Sequence, residues 1–423
     1  MDYRIFPPEE ILETTVSLPP SKSIGARALV LNYLAGSTDN TDALACCDDT
    51  RTLAAILAEG LPTDGSTIDV GPAGTAMRFL TALCAASQGV DCTITGSERM
   101  LKRPIAPLVH VLRMLGADIE YVGADGFPPL RIKGRRLSGG SVDIDASESS
   151  QYVSALMMAA PLLDAPLTIR LLGNVQSMPY ISMTAQMMRK RGAVVDFDRD
   201  KVDISCPDGI HAVPESEPDW SAAAFRYEIA AVTAGWVTIS GLYKDGSLQG
   251  DSQVAALFER LGVLTEYTEE GAELSATPDL YNSLDAELTD MPDAVPALVV
   301  TCCLVGIPFR LSGLGALHHK ECDRLEALKA EMAKLGCMLE IEGYGTILSW
   351  DGRRVPVASL PVFDTYSDHR MAMALAPVAV FVPGIVVRDA GVVSKSYPDF
   401  WSQLQAAGFR LADPAEPMPT AEE

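Results

Sequence analysis

Residues 108–122 read LVHVLRMLGADIEYV, an apolar helical pattern that stops at Gly116 and continues as an alternating strand. A glycine just past a helix is a common stop signal, because it enters the left-handed region without a Cβ clash. The alternation of apolar and polar residues after the glycine is typical of a half-buried strand. The stretch therefore predicts a helix–glycine–strand unit of an α/β protein.

The same unit occurs six times along the chain, at intervals of 56, 76, 70, 74 and 72 residues. The stop glycines are Gly60, Gly116, Gly192, Gly262, Gly336 and Gly408. Such regular spacing favours duplication of one structural unit over chance recurrence of a common element. Three copies per domain is the simplest division. The Pro- and acid-rich segment 211–220 lies between the third and fourth copies, where we expect a domain boundary.

The composition of the chain excludes several classes of function. Its 423 residues are too many for one ordinary core, so two domains are expected. The 56 acidic and 33 basic residues give a net charge of −23, which argues against nucleic acid as a partner because cations bind phosphate backbones. A small anionic ligand is not excluded, since its binding depends on the local field.

The sequence also indicates where the protein acts. Its nine cysteines form no CxxC pair, and most lie in apolar runs, as expected of reduced, buried thiols. The N-terminus lacks the pattern of a signal peptide. The longest uncharged runs, 294–309 and 371–387, contain prolines and are too short to cross a membrane. We therefore expect a cytoplasmic protein without a membrane partner.

Residues 18–35, LPPSKSIGARALVLNYLA, place two cations near the start of a predicted helix. The two prolines fit an extended lead-in, and Ser21 or Ser23 can cap the first N–H groups. Lys22 and Arg27 add positive charge to a helix end whose dipole is already positive, which costs stability. Because an anion bound there would offset that cost, the stretch predicts an anion-binding site.

Several other predicted loop-to-helix junctions carry cations, hydroxyls or carboxylates. The Gly-rich segment 71–74 permits close approach of the backbone to a ligand. A second helix start carries Ser149, Ser150 and Gln151, a suitable cradle for an oxyanion. The remaining candidates are Arg78, Arg99, Lys102, Arg103, Ser177, Tyr180, Asp293, Lys320, Glu321, Arg324, Asp368, His369, Arg370 and Lys395.

Together these residues predict a site that binds a multiply anionic small molecule and performs acid–base chemistry. The chain has no Walker A, GxGxxG, HExxH or GxSxG motif. Nucleotide-binding, zinc-dependent and serine-hydrolase functions therefore lack support.

Eight motifs occur in the order found in the EPSP synthases, a family of enolpyruvyl transferases, and the chain resembles this family up to about residue 408. The motifs are PSKSIGARALVL, GPAGTAMRFL, KRPI, SSQYVSALMMAAP, PDAV, HKECDRL, YSDHRMAMALA and SKSYPDF. The resemblance implies an α/β fold of two similar domains, each with three copies of a βαβαββ unit, known as an inside-out α/β barrel. It assigns residues 1–20 and 220–423 to one domain and 21–219 to the other, with the active site in the interdomain cleft.

The resemblance also implies the reaction. The family transfers the enolpyruvyl group of phosphoenolpyruvate to the 5-hydroxyl of shikimate 3-phosphate, giving 5-enolpyruvylshikimate 3-phosphate and phosphate. This is a step of the shikimate pathway to chorismate and the aromatic amino acids. The implied partners are the two small-molecule substrates, with no cofactor and no metal, and we expect a monomer.

The family's functional residues are carried over by motif. Those implied for shikimate 3-phosphate are Lys22, Ser23, Arg27, Ser149, Ser150, Gln151, Ser177, Tyr180 and Asp293. Those implied for phosphoenolpyruvate are Lys22, Gly74, Arg103, Gln151, Arg324, Arg370 and Lys395. The implied catalytic residues are Lys22, Asp293 and Glu321, with His369 and Lys320 in support. Which carboxylate performs which proton transfer stays open.

The sequence departs from the family pattern at three positions. Pro72 stands where the family usually has the Asn of NAGT. His318 replaces an Arg or its equivalent, and Ala316 replaces a frequent Asn. These changes affect the expected substrate affinities more than the reaction class.

Two other functions fit parts of this pattern. The UDP-N-acetylglucosamine enolpyruvyl transferases share the implied fold, but they typically open with a K-N-rich motif and carry a reactive loop cysteine. Here the start is PSKS, and Cys84 and Cys92 flank apolar or strand-like segments. A non-catalytic relative that only binds an anionic metabolite is the other alternative, against which the intact Lys22, Asp293 and Glu321 argue.

Overall fold

The computed structural model describes residues 1–37, 41–357 and 359–416. The chain divides into two compact units. Unit 1 comprises Met1–Pro19 and Pro218–Glu423, and unit 2 comprises Pro20–Glu217. The domain limits expected at residues 20 and 219 lie within two residues of these bounds.

The secondary structure of the described residues alternates between short strands and helices. The strands are β1 Tyr3–Phe6, β2 Glu13–Val16, β3 Thr67–Asp69, β4 Asp91–Thr95, β5 Asp118–Tyr121, β6 Leu130–Lys133, β7 Gly140–Asp145, β8 Leu167–Leu172, β9 Val194–Asp198, β10 Lys201–Ser205, β11 Trp236–Ser240, β12 Leu261–Tyr267, β13 Gly271–Leu280, β14 Leu284–Glu287, β15 Phe309–Ser312, β16 Glu340–Glu342, β17 Ile347–Trp350, β18 Val362–Phe363, β19 Ile385–Val387 and β20 Arg410–Ala412. The α-helices are α1 Lys22–Leu34, α2 Thr41–Leu44, α3 Asp48–Glu59, α4 Gly74–Ala86, α5 Ala106–Met114, α6 Ser150–Ala159, α7 Met178–Lys190, α8 Trp220–Thr233, α9 Val254–Glu259, α10 Val295–Val305, α11 Arg324–Ala333, α12 His369–Leu375 and α13 Phe400–Ala406.

The strands form five four-stranded sheets that share one topology. In the sheet β7-β8-β10-β9, the first two strands are parallel, and β10 pairs antiparallel with both of its neighbours. A helix lies between β7 and β8 and another between β8 and β9, so the chain order is βαβαββ. This order confirms the βαβαββ unit that the family resemblance implies, and it contains the helix–glycine–strand element that the sequence repeats.

Unit 2 contains two of these sheets, β3-β4-β6-β5 and β7-β8-β10-β9. Unit 1 contains the other three, and one of them joins the two ends of the described chain. There β1 lies between β19 and β20, with Arg4 opposite both Val386 and Ala412. In the sheet β12-β13-β11-β2, the neighbouring strands β2 and β11 are separated in sequence by the whole of unit 2.

All six stop glycines have positive φ, between 79° and 104°, as their position after a helix requires. Five of them lead into the outermost antiparallel strand of a sheet. Gly60 differs, because it leads into the parallel edge strand β3. The helices α1 and α3, which precede Gly60, pack together. Among the described residues, no strand lies between them in sequence.

The core of each unit is a group of three central helices in mutual contact, α1, α4 and α6 in unit 2 and α8, α10 and α12 in unit 1. Their sequences are apolar on nearly all sides, which is typical of a helix buried all round. In α10, every residue from 295 to 304 is buried. The strands alternate instead, as in the burial of every second residue of β7, so one sheet face packs inward.

Among the residues that the structure describes, no helix combines the length and the apolar character needed to span a membrane.

Candidate active site

The predicted site residues collect at the N-terminal ends of helices in both units. In unit 1, Asp368 caps α12 by accepting from the backbone N–H of Arg370, and Asp219 caps α8. In unit 2, Ser149 caps α6 in the same way. The predicted cap of α1 by Ser21 or Ser23 is wrong. Ser21 occupies the N-cap position, but its buried hydroxyl makes no capping bond.

Arg324, at the start of α11, is the centre of an ionic network in unit 1. Its side chain is 1% exposed. It contacts Asp368 with two nitrogens, at 2.8 and 3.3 Å. It also contacts Asp293 at 2.8 Å and Glu321 at 3.0 Å. Three carboxylates therefore surround one guanidinium, whereas a single carboxylate would suffice for a structural ion pair.

Asp293 is bound in turn by further cations. Arg370 donates to its second oxygen at 3.0 Å, and Lys320 Nζ lies 3.7 Å away. Burial would raise the pKa of Asp293, but the charges of Arg370, Lys320 and Arg324 prevail and hold it well below its usual range. Asp293 is therefore an ionised carboxylate in a strongly positive environment.

Glu321 and Lys395 form a second ionic contact in the same cluster. The Nζ of Lys395 lies 3.1 Å from Glu321, so this carboxylate is shared between Lys395 and Arg324. Removal from water lowers the pKa of Lys320, with the charge of Arg324 adding to this effect. His369 is buried beside Asp368, at 3.8 Å between Nδ1 and Oδ1.

The loop that carries Lys320 and Glu321 is closed by His318. Its ring nitrogens lie 2.7 Å from Asp323 Oδ2 and 2.9 Å from the Gly345 carbonyl oxygen. Because both partners only accept hydrogen bonds, the doubly protonated ring satisfies both. Burial opposes this form, but the two hydrogen bonds raise the pKa of His318 above its ordinary value.

In unit 2, the start of α1 presents a cation at an end that lacks a side-chain cap. Lys22, the first residue of α1, lies 3.1 Å from Asp49 at the start of α3. Uncapped N–H groups and a lysine at one helix end form a suitable anion site.

Arg27 is buried among protein partners deeper in α1. It donates to the hydroxyls of Thr184 at 2.7 Å and Ser154 at 3.0 Å, and to the Tyr180 carbonyl at 3.3 Å. It also donates to the carbonyl of Ser23 at 2.9 Å. Burial lowers the pKa of Arg27 to about 10, so the guanidinium is still charged at neutral pH. It therefore joins α1, α6 and α7 and supplies positive charge to their N-terminal ends.

The turn at Gly74 is built around two arginines. The Arg103 guanidinium covers Gly74 so closely that a Cβ at this position would lie 3.0 Å from Cζ. Arg78 donates to the Gly74 carbonyl and to the Pro104 carbonyl, both at 3.1 Å, and so ties the turn to the KRPI segment. Pro72, one of the departures from the family pattern, is exposed.

The remaining hydroxyl and amide groups of unit 2 lie at the ends of α6 and α7. Gln151 donates to the Thr75 hydroxyl at 3.2 Å, which connects the start of α6 to the start of α4. Ser150 and Ser177 are both buried. Ser177 has a left-handed backbone at φ 56°, a costly conformation for a residue with a side chain.

The predicted site residues thus divide between the two units. The unit 2 group is Lys22, Ser23, Arg27, Gly74, Arg103, Ser149, Ser150, Gln151, Ser177 and Tyr180. The unit 1 group is Asp293, Lys320, Glu321, Arg324, His369, Arg370 and Lys395. No cluster of three or more potential metal ligands occurs in the described part of the chain.

Sequence reasoning missed two carboxylates. Asp49 is the ionic partner of Lys22, and its helix start, ACCDDTR, resembles an ordinary N-terminal turn. Asp251 is buried and accepts a hydrogen bond from Ser221. Burial, together with the charge of Asp293, raises the pKa of Asp251 to about 6. No motif distinguishes it, and only its burial reveals it.

The chain matches a known protein family over most of its length. The profile of the family described as EPSP synthase (3-phosphoshikimate 1-carboxyvinyltransferase) matches residues 58–404. A 3-phosphoshikimate 1-carboxyvinyltransferase of Bacteroides fragilis (strain YCH46) is 47% identical over 413 residues, which cover 97% of this chain and 99% of that protein. A protein of the same name from Syntrophobacter fumaroxidans is 34% identical over 420 residues, with coverages of 93% and 97%.

Solved structures share the fold. EPSP synthase from Acinetobacter baumannii matches with a TM-score of 0.71 and 20% sequence identity, covering 97% of this chain and 100% of that chain. The enolpyruvyl transferase NikO from Streptomyces tendae matches with a TM-score of 0.71 and 16% identity, covering 97% and 99%. The family profile and the two sequence relatives show more than a shared fold. The chain belongs to the EPSP synthase (3-phosphoshikimate 1-carboxyvinyltransferase) family.

Proposed function

We propose that the two groups of residues act on one pair of substrates. The reaction follows from family membership: the enolpyruvyl group of phosphoenolpyruvate moves to the 5-hydroxyl of shikimate 3-phosphate, giving 5-enolpyruvylshikimate 3-phosphate and phosphate. It is a step of the shikimate pathway towards chorismate and the aromatic amino acids. We further propose that the protein acts as a monomer in the cytoplasm.

Phosphoenolpyruvate is bound by Arg324, Arg370 and Lys395, assisted by Lys22, Gly74, Arg103 and Gln151. The observation that carries this proposal is the network around Arg324, in which carboxylates occupy the donors of three cations. The phosphate and carboxylate of phosphoenolpyruvate offer the same charge and geometry as these carboxylates. Substrate therefore competes with Asp293 and Glu321 for the same N–H groups.

This competition activates the base. While Arg324 and Arg370 neutralise it, Asp293 has a low proton affinity. When phosphoenolpyruvate takes over those donors, the proton affinity of Asp293 rises, and it can accept the proton of the 5-hydroxyl. The base thus becomes effective only when the second substrate is present.

Shikimate 3-phosphate is bound in unit 2. The hydroxyls of Ser149, Ser150 and Ser177 hold its 3-phosphate in this proposal, which the position of these residues at the starts of α6 and α7 supports, because helix dipoles favour an anion there. Lys22 contacts both substrates. Arg27 contributes mainly through its charge, since its donors already bind protein groups.

The chemistry requires one base and one acid. The 5-oxygen attacks the enol carbon while the adjacent methylene carbon is protonated, giving a tetrahedral intermediate. A methyl proton and phosphate then leave. Glu321 is the group we assign to the carbon-directed proton transfers, with Lys395 3.1 Å away to pass the proton. Lys22 stabilises the charge on the departing phosphate.

A phosphate-release assay tests this function. Wild-type protein should release phosphate only when shikimate 3-phosphate and phosphoenolpyruvate are both present, with 5-enolpyruvylshikimate 3-phosphate identified by mass spectrometry. UDP-N-acetylglucosamine in place of shikimate 3-phosphate should give no release. Cys84 and Cys92, the two cysteines weighed for that alternative, are both buried. Binding of both substrates without phosphate release would favour the non-catalytic alternative.

A further inference from the structure

A strained turn precedes α12 and presents Asp368, the residue that binds Arg324 with two contacts. The backbone N–H of Asp368 donates to the Thr365 carbonyl at 2.9 Å, which closes the turn. The two residues between them, Tyr366 and Ser367, both have φ 55°. This φ pattern is that of a type I′ turn, which strongly prefers Asn and Gly at its central positions. Tyr and Ser therefore adopt a costly left-handed backbone that other contacts must stabilise.

Glu331, near the end of α11, supplies these contacts. Its side chain is fully buried, and its Oε1 accepts from the Tyr366 hydroxyl at 2.7 Å. Its Oε2 accepts from the backbone N–H of Asp364 at 3.1 Å and from Lys334 Nζ at 2.6 Å. Asp364 and Tyr366 flank Thr365 in sequence, so Glu331 binds the chain on both sides of the residue that begins the turn. Hydrogen bonds to a carboxylate are among the stronger ones in proteins, and they offset the backbone cost.

The same helix binds the turn at a second point. Arg324 and Glu331 are both on α11, and their spacing of seven residues places them on one face of the helix. Asp368, at the end of the turn, is buried and contacts Nε and Nη2 of Arg324. The remaining nitrogen, Nη1, contacts Asp293, for which phosphoenolpyruvate substitutes in the proposed function. Asp368 therefore fixes the orientation in which the guanidinium meets the substrate.

We propose that Glu331 is a positioning residue for phosphoenolpyruvate, because its hydrogen bonds to the turn keep Asp368 where it orients the Arg324 guanidinium. Tyr366 is the side chain of the turn through which Glu331 acts. Without this contact the turn relaxes to a backbone without positive φ, and Asp368 moves away from Arg324. The effect on substrate rests on the proposed role of Arg324, whereas the restraint on the turn is measurable without substrate.

Tyr366→Phe tests the contact with the least change to the protein, since it removes one hydroxyl and keeps the ring. We expect the KM for phosphoenolpyruvate to rise about threefold to tenfold, as part of the effect of losing a hydrogen bond to a charged group. The kcat and the KM for shikimate 3-phosphate should stay within about twofold of wild type, whereas a mere loss of folded protein would lower the apparent kcat and leave KM unchanged. Tyr344→Phe is the matched control, because Tyr344 has a similar φ of 57° and a fully exposed side chain.

Two further substitutions should preserve or restore the turn. Glycine adopts positive φ without a Cβ clash, so Ser367→Gly lowers the cost of the turn. Added to Tyr366→Phe, it should return the KM for phosphoenolpyruvate to within about twofold of wild type. Glu331→Gln should also keep a wild-type KM. One orientation of its amide accepts from Asp364 and Lys334 and donates to the Tyr366 hydroxyl. Glu331→Met, which lacks these groups, should raise this KM at least as much as Tyr366→Phe.

Amide hydrogen exchange measures the turn in the full-length protein without substrate. The backbone N–H groups of Asp364 and Asp368 are both hydrogen-bonded in this segment. In Tyr366→Phe, the segment 362–371 should exchange about tenfold faster than in wild type, because local opening exposes these groups. Adding Ser367→Gly should slow the exchange again. The strand β11, in a different sheet of unit 1, should exchange at the wild-type rate in every variant.

Each other outcome overturns the proposal. If Tyr366→Phe exchanges as wild type in this segment, Glu331 does not restrain the turn. If exchange accelerates but the KM for phosphoenolpyruvate is unchanged, or if the KM for both substrates rises equally, the positioning role is wrong. If Ser367→Gly restores neither quantity, strain in the turn is not what Glu331 offsets. If wild-type protein releases no phosphate from the two substrates, the proposed function fails, whereas the exchange rates still decide whether Glu331 restrains the turn.

Discussion

At the scale of single residues, Asp293 is a carboxylate held between cations that also suit the substrate. Replacing it with Asn keeps its shape and removes its charge. We expect kcat to fall by roughly 100- to 10,000-fold, the usual contribution of a general base. The affinity for phosphoenolpyruvate should rise several-fold, because Arg324 and Arg370 lose an ionic competitor. Steady-state kinetics and calorimetric titration measure the two effects.

Asp285→Asn is the matched control, since Asp285 is an exposed carboxylate of the same unit. It should leave both kcat and substrate affinity unchanged. An Asp293→Asn variant with wild-type kcat would rule out the base, and one with weakened phosphoenolpyruvate binding would contradict the competition between carboxylate and substrate.

Gly74 is required by the position of Arg103. A methyl group at this position would meet the guanidinium inside van der Waals contact, so Gly74→Ala must displace Arg103. We expect the KM for phosphoenolpyruvate to rise about tenfold, which corresponds to roughly 1.4 kcal/mol of lost binding, with a smaller change in kcat. Gly123→Ala is the control, because its nearest neighbour would be at an ordinary 3.6 Å. Equal KM values for the two variants would show that Arg103 does not contact this substrate.

Asp251 gives a prediction about stability. Its pKa is raised from 3.8 to about 6, so the folded state holds this proton in a range where the unfolded chain has lost it. Stability from this group is therefore greatest below about pH 4 and declines as the pH rises to about 6, by roughly 3 kcal/mol at most. Asp251→Asn should remove the decline and stabilise the protein at neutral pH.

Denaturation midpoints of wild type and Asp251→Asn between about pH 4 and pH 7 measure this effect. The exposed Asp245 supplies the control Asp245→Asn, which should follow wild type throughout. If the Asp251→Asn curve runs parallel to wild type, the buried carboxyl is ionised in the folded state at all these pH values.

Prediction from sequence succeeds at this scale where a residue belongs to a motif and fails where its role comes from burial. Arg324, Arg370 and Lys395 lie in quoted motifs, and the structure brings them into one network. Asp251 lies in no motif, and its burial depends on packing between segments distant in sequence. Asp49 was missed because its contact with Lys22 joins two helices 27 residues apart.

At the scale of elements, the loop 318–323 depends on His318. Because its folded pKa is raised, the protonated ring stabilises the loop below the unfolded pKa of about 6.5, and this contribution is lost as the pH rises through the folded value. A partly exposed pair contributes little, so His318→Gln should lower the denaturation midpoint by only about 1–2 °C at pH 5.5 and by less at pH 8.5.

His319→Gln is the matched control, because His319 is the exposed neighbour of His318 on the same 3-10 helix, Gly315–His319. Its midpoint should equal that of wild type at both pH values. A difference between wild type and His318→Gln that grows with rising pH would have the opposite sign and would contradict the assignment of a protonated ring.

The central helices show why helix starts are better predicted than helix caps. The cationic start of α1 is visible in the sequence because Lys22 comes one residue after the pair Pro19–Pro20. That Ser21 makes no capping bond could not be predicted, because the backbone at its N-cap has φ −56° and ψ 116° and the hydroxyl is buried. A residue type suited to capping does occupy the N-cap position, but its local conformation determines that no capping bond forms.

At the scale of the whole molecule, the repeat of helix, glycine and strand predicts six copies, three per domain, and five βαβαββ sheets are found among the described residues. The remaining copy, at Gly60, differs because the strand after it, β3, pairs in parallel with β4. That strand therefore belongs to the same βαβαββ sheet as β4. Periodicity locates a helix stop but does not reveal which sheet the following strand joins. The closure of one sheet by β1 likewise depends on pairing between the two ends of the described chain.

The central claim is that residues of both units act in one reaction, and phosphate release from shikimate 3-phosphate and phosphoenolpyruvate tests it on two variants. Lys22→Ala in unit 2 should lower kcat/KM about a thousandfold, equivalent to roughly 4 kcal/mol of transition-state stabilisation. Glu321→Gln in unit 1 should lower kcat at least about a hundredfold. The exposed controls Lys133→Ala and Glu326→Gln should keep wild-type rates. If either site variant retains a tenth of wild-type activity, the claim that both units supply catalytic groups is contradicted.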